Sequence, residues 1–275
     1  FMIALGLLEA PFAEGANKES EALEMALARI RQLSAHEIGH TLGFAHNFSA
    51  SAKNRTSVMD YPHPNIELIG DQISIANAYE VGIGDWDKVT VAYAYSDFPE
   101  GTNEKEALNA IIDQSAAAGH RFISDSDARP LGGAHPKAHL WDNGVVATQE
   151  LARLMDIRKK ALEHLSLDHL RKGEPYSTLE DRFVPMYLLH RYQVEAVVKL
   201  IGGVDYDYAV KGSRNYQVEV VDPTTQRNAL LGYLNALAPK ALAVPETLRP
   251  LLPPRSFSNP RTRENFLSQT GVAFD

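Results

Sequence analysis

Three histidines and a glutamate stand at spacings that suit one metal ion. The segment reads His36-Glu37-Ile38-Gly39-His40-Thr41-Leu42-Gly43-Phe44-Ala45-His46. On a helix, His36 and His40 stand one above the other on the same face, so both imidazoles can reach one ion. Glu37 lies roughly 100° round the helix from His36, off the ligand axis but within reach of a water on the metal. Ala35, Ile38 and Leu42 fall on the opposite side and are expected to pack into a core. If the helix continued, His46 would sit roughly 15 Å along the axis from His36, too far for a metal–nitrogen bond of about 2.0–2.1 Å. The chain must therefore turn before His46, and Gly43 is where it can, because glycine adopts the left-handed conformation that ends helices.

Three imidazoles with an open fourth position describe a catalytic zinc rather than a closed structural one. The chain has no Cys, which excludes thiolate sites. Zinc lowers the pKa of a bound water to about 7, and Glu37 would take its proton as that water attacks, then pass it to the leaving group. Five specified positions at this spacing should arise by chance on the order of one time in 10⁵ in a chain of this length, given average residue usage. A chance helix is therefore the weaker reading.

The pattern H-E-x-x-H-x-x-G-x-x-H resembles the zinc signature of the metzincin metallopeptidases. A second motif, Ser57-Val58-Met59-Asp60-Tyr61-Pro62, follows His46 and resembles their Met-turn. The resemblance implies that Met59 floors the three histidines without binding metal. It also implies that Tyr61 lies near the metal, as an extra ligand or as a donor to the transition state. Alone, the same residues would read as a turn with a packed methionine and tyrosine.

The resemblance extends to large bacterial zinc-dependent metalloproteases with an EcxA-like zinc-binding domain. Its later landmarks are Ile83-Gly84-Asp85-Trp86-Asp87-Lys88, Asp127-Ala128-Arg129-Pro130 and the stretch from Ala134 to Asn143 with His135, His139, Trp141 and Asp142. It implies one zinc, peptide or protein substrates, and a periplasmic or secreted location. Such proteins are longer, with a twisted sheet ahead of the zinc helix whose edge strand holds the substrate backbone. The chain is therefore expected to be the catalytic C-terminal portion, with the cleft completed by a missing N-terminal part of the same polypeptide.

The elements that must position these residues are mainly helical, so the fold class is mainly α (α+β). Residues 2–8 suggest a strand. Residues 19–43 read as one helix, with Leu23, Leu27 and Ile30 as its apolar stripe. An irregular stretch, 47–72, carries the Met-turn. Helices follow from Asp85, over 103–118, over 146–165 and over 179–201, with a long loop at 119–144. Residues 205–210 and 216–221 alternate as strands of a small hairpin. Asp222 caps a helix to 237 with Pro223 at its first position, and a Pro-rich tail spans 239–275. The expected division is a zinc-binding catalytic core, 1–100, with a helical C-terminal subdomain, 101–275, packed on it.

The chain has 275 residues, 44% hydrophobic, and a net charge of −8, which offers no basic field for nucleic acid. No apolar stretch is long enough to span a membrane. In the 119–144 loop, Asp125, Asp127, His135 and His139 read first as residues that organise the loop. Cleft lining is the next reading, and a second metal, calcium at Asp125/Asp127 or zinc at His135/His139, the least. His164, Asp168 and His169 suit a helix end, Arg158-Lys159-Lys160 a solvated face, and His190 a core position. The functional reading is a zinc endopeptidase using His36, His40 and His46 as ligands and Glu37 as base, with Tyr61 assisting. The alternatives are a catalytically impaired zinc module that binds peptides or proteins, and a purely structural zinc at the Gly43 turn.

Overall fold

The computed structural model describes residues 1–266 apart from 131, 214, 215, 263 and 264. Within them the chain is mainly helical with two small antiparallel hairpins. The strand expected at 2–8 is instead helix α1 (Met2–Leu7). Met, Ala and Leu are good helix formers, and a short apolar run suits a buried helix as well as a strand. Ala4, Leu5 and Leu7 are buried. Gly6 lets α1 approach a later helix so closely that a Cβ there would lie 3.0 Å from the Arg182 carbonyl.

Helix α2 (Glu19–Thr41) opens with Glu19 and Glu21 in its first turn, where the helix dipole favours acidic groups. Its inward face is Ala22, Met25, Gln32, His36 and Gly39. The expected inward stripe points the other way. Leu23, Ile30 and Ile38 are 50%, 57% and 59% exposed, and Leu27 and Leu42 are exposed as well. The small residues Ala22 and Gly39 are the ones that permit close approach, so the core takes that side. Helix α2 thus has one buried and one open apolar side.

After Pro64, β1 (Glu67–Ile69) and β2 (Gln72–Ser74) form a hairpin turning at Gly70 and Asp71. Three-residue strands are too short to show alternation in the sequence. Helices α3 (Asp85–Tyr95) and α4 (Glu104–Ala117) follow, the second capped by the Asn103 side chain on the Glu106 amide. A single turn, α5 (Asp125–Ala128), lies inside the long loop. Helix α6 (Ala147–His164) turns Leu151, Leu154, Ile157 and Ala161 inward. The helix expected over 179–201 is divided into α7 (Glu180–Tyr187) and α8 (Arg191–Val198). Pro185 sits inside α7; it has no N–H to give and its ring crowds the preceding turn. Strands β3 (Val204–Tyr206) and β4 (Val218–Val220) pair antiparallel. Helix α9 (Pro223–Ala236) is capped by Asp222, which accepts from the Thr224 and Thr225 amides, and α10 (Pro239–Leu242) closes the series. The end of the expected tail, 267–275, lies outside the described residues.

The main core joins α1, α2, the first hairpin, α6 and α7. A second cluster, Leu151, Val197, Ala229 and Ala236, binds α6, α8 and α9 together. Arg158, expected on a solvated face, is buried: it donates to the Tyr187 and Ala241 carbonyls and lies over the Tyr187 ring. A buried polar chain crosses the molecule. Arg55 donates to the carbonyls of His63 and Ala78 and to Asn143 Oδ1. Asn143 in turn exchanges hydrogen bonds with Gln193 of α8.

Two carboxyls are buried beside this chain. Burial pushes Asp142 up to about 7. Burial first, and then the neighbouring Asp142, raise Asp60 well above the usual carboxylate range. The folded chain therefore holds a proton at Asp142 that the unfolded chain releases near pH 4. Its contribution to stability is full below pH 4 and declines as pH rises towards 7. Asp142→Asn should then match the parent near pH 4 and gain on it steadily up to pH 7, in urea denaturation of the metal-free chain. A gap that stays constant over that range would contradict the assignment.

Candidate metal centre

Helix α2 ends where the metal motif needs it to. Gly43 takes φ +87°, and the Phe44 and Gly43 amides donate back to the Gly39 and His40 carbonyls. This reversal returns His46 towards the helix. His36, His40 and His46 converge, their nearest ligand atoms all within 4.8 Å of one another. His40 Nε2 lies 3.0 Å from His36 Nε2 and 3.1 Å from His46 Nε2. Four-coordinate ligands at about 2.0–2.1 Å from zinc would be about 3.3 Å apart.

The protons can be placed from the other ring nitrogens. His36 Nδ1 is 2.7 Å from the Val58 carbonyl and His40 Nδ1 is 2.9 Å from the Phe44 carbonyl. His46 Nδ1 is 2.8 Å from Asp125 Oδ2. Carbonyls and carboxylates only accept, so each Nδ1 carries a hydrogen, which leaves Nε2 as the atom free to ligate a metal. Three lone pairs then face one point, an arrangement relieved by a cation. Burial holds His36 below the ordinary imidazole range, and the neighbouring His40 and His46 add to this. The donor set, three neutral imidazoles and no thiolate, fits zinc.

The Met-turn residues lie directly beneath. Met59 is buried, with its sulfur so close to α2 that a Cβ on Gly39 would meet it at 2.2 Å. The Val58 carbonyl accepts from Gln32 as well as His36, and the Met59 carbonyl accepts from the amide of Asn47, next to His46. Tyr61 stacks on the His36 ring at 5.1 Å and contacts the His46 ring at 4.8 Å. Its other face meets Trp141 at 5.9 Å. Glu37 is exposed, and its carboxylate is near enough to act on the charge of His36.

The later landmarks surround this centre. Asp87, buried in the first turn of α3, accepts from Ser57 Oγ and from the Val58 and Gly84 amides at 2.6–2.8 Å. Gly84 is needed there, since a Cβ would lie 2.0 Å from the Thr56 carbonyl oxygen. Asp125 and Arg129 reach His46 and Tyr61 from the loop. Asp127 instead accepts from the Tyr206 and Tyr208 hydroxyls. His135 lies against the Tyr206 carbonyl and His139 beside Glu195. Among the described residues, the three histidines of the motif are the one group of three or more His, Cys, Asp or Glu placed to hold a metal ion. From sequence Asp87 stands only within a landmark and Asp125 only as a loop, cleft or calcium residue, because nothing in local spacing links them to partners about 30 to 80 positions away.

A family model described as Met-zincin matches residues 18–272. No curated protein and no solved structure matches the chain.

Asp87→Ala removes three bonds to one charged acceptor, each of which contributes about 1.5–3 kcal/mol. The metal-free chain should lose about 3 kcal/mol or more in urea denaturation. An unshifted midpoint would mean that the Met-turn is held by other contacts.

Proposed function

The chain belongs to the Met-zincin family of zinc metalloproteases, and on that premise we propose that it hydrolyses peptide bonds with Glu37 as general base and His36, His40 and His46 as zinc ligands. The supporting observation is the convergence of the three Nε2 atoms, with the exposed Glu37 carboxylate beside His36. Bound zinc would polarise the scissile carbonyl and acidify the attacking water. Glu37 takes a proton from that water and delivers it to the amide nitrogen as the C–N bond breaks. Tyr61 donates its phenolic hydrogen to the carbonyl oxygen as that oxygen gains charge. Met59 and Gly43 have supporting roles, the first as floor and the second as the turn that returns His46.

We assign residues 1–100 to the catalytic core and 101–275 to a helical part packed on it, which sends the 119–144 loop back to the site. A cavity of about 780 Å³ is lined in part by Ile30, Pro62, Tyr192 and Trp141, the last of which stacks on Tyr61, and it would accept an apolar substrate side chain. The open apolar side of α2, carrying Leu23, Ile30 and Ile38, calls for a cover, since a helix apolar on two sides is normally enclosed. A further part of the same polypeptide would supply it and complete the cleft. No helix among the described residues is long and apolar enough to cross a membrane. On the family resemblance alone we place the protein in the periplasm or outside the cell.

Glu37→Gln should retain one zinc per chain and the parent fold, while cleavage of a peptide library drops by about 10²–10⁴-fold, the usual contribution of a general base. Unchanged cleavage would remove Glu37 from the mechanism. One zinc without any cleavage in the parent chain would favour the peptide-binding alternative. His46→Ala should weaken zinc binding sharply by elemental analysis after dialysis; stoichiometric retention would show that His46 is not a ligand.

A further inference from the structure

Of the three histidines, His46 alone lies outside helix α2, on irregular chain three residues beyond Gly43. His36 and His40 are fixed by the helix, and each needs only a backbone carbonyl to set its tautomer. His46 has no such scaffold. Its Nδ1 meets both oxygens of Asp125, at 2.8 and 3.1 Å, from 79 residues further along the chain. We propose that Asp125 is a positioning residue of the metal centre, its carboxylate, steadied by Arg129, fixing the ring plane and tautomer of His46 so that Nε2 faces the metal.

The inference rests on the zinc reading above, and the geometry around Asp125 carries it further. Asp125 Oδ1 also accepts from Arg129 Nε, so the carboxylate is gripped from two directions. The Arg129 guanidinium lies 5.3 Å from the Tyr61 ring centroid and 5.5 Å from that of Phe48. These are the same rings that flank His46. One arginine therefore ties the partner of the third histidine to the tyrosine at the site.

The short helix that bears Asp125 is itself firmly held. The Phe48 amide donates to the Ile123 carbonyl, and Asn47 donates to the Arg121 carbonyl. Asp127 accepts from two tyrosine hydroxyls on and beside β3. Lys199 donates to the Ala128 carbonyl at 2.6 Å and to the Ala138 carbonyl at 2.8 Å. A simple surface ion pair between Asp125 and Arg129 would need none of this support and would contribute little. A carboxylate on the far nitrogen of a metal-bound imidazole also raises the basicity of the ligating nitrogen, and removing such a partner commonly costs 10–100-fold in metal affinity.

The test is zinc affinity of the purified chain, measured by competition with a chromophoric chelator, for the parent, Asp125→Ala, Asp125→Asn and Arg129→Met. Asp125→Ala should weaken zinc binding about 10–100-fold. Asp125→Asn, which keeps an acceptor but no charge, should fall between it and the parent, and Arg129→Met should show a smaller loss. The metal-free proteins should unfold within about 2 °C of one another, because the replaced groups are about two-fifths exposed. The downfield proton resonance of His46 Nδ1–H in the zinc-loaded parent should broaden by faster exchange in Asp125→Ala. A parent that binds one zinc and an Asp125→Ala variant within about threefold of it would overturn this assignment alone. So would a loss of zinc matched by an equal loss of metal-free stability. A parent that binds no zinc would overturn the zinc reading and this one together.

Discussion

Three nitrogen lone pairs cannot be brought to one point unless the opposite nitrogen of each ring is given a proton and an acceptor for it. That requirement organises this molecule. The acceptors are the Val58 carbonyl, the Phe44 carbonyl and the Asp125 carboxylate, and they come from three different parts of the chain. Each has its own support. Asp87 clamps the Val58 turn from α3. The left-handed Gly43 turns the Phe44 carbonyl back onto His40. The Tyr206, Tyr208 and Lys199 contacts hold α5 from the C-terminal part. Residues that never approach the histidines are thus arranged around the atoms that orient them.

The landmarks noticed in the sequence acquire distinct physical meanings in this light. In the Ile83 to Lys88 stretch, Gly84 permits backbone contact with Thr56 and Asp87 closes the Met-turn. In the Asp127 to Pro130 stretch, Asp127 anchors and Arg129 reaches towards Tyr61. In the Ala134 to Asn143 stretch, Trp141 takes a left-handed backbone at φ +55° while its amide donates to the Tyr61 carbonyl. A bulky residue in that conformation is strained, and here it is held by ring contacts to Tyr61 and Tyr192. Asn143 then joins Arg55 to α8.

What could be read from sequence was what depends on near neighbours. The helix bearing His36 and His40, its end at Gly43, the Asp222 cap and the β3–β4 pairing all follow from spacing or from one residue's conformational preference. What could not be read depends on choices between similar options. Helix α2 has apolar residues on two sides, and periodicity alone does not say which side meets the core; Leu23 and Ile30 look as suited to it as Ala22 and Met25. The run 179–201 keeps helical spacing across a break at 188–190, three residues past Pro185, that periodicity does not mark. Arg158 reads as a surface cation until the Tyr187 and Ala241 carbonyls are brought to it. Asp125 can be picked out as a loop carboxylate, but its pairing with His46 is supplied by tertiary structure.

The 79-residue separation between His46 and Asp125 also bears on the order in which the molecule comes together. Contacts of such range close late, because loop entropy must be overcome before they gain anything. The helical pair His36 and His40 can form as soon as α2 does, whereas His46 gains its carboxylate only after the 119–144 loop has docked. With His46 as a zinc ligand, as proposed, docking and metal affinity would be linked in both directions: whatever free energy the docked loop adds to metal binding, the bound metal returns to the docked loop. An ion captured early would be held by a half-formed site and exchange readily, and the finished fold would act as the latch that retains it.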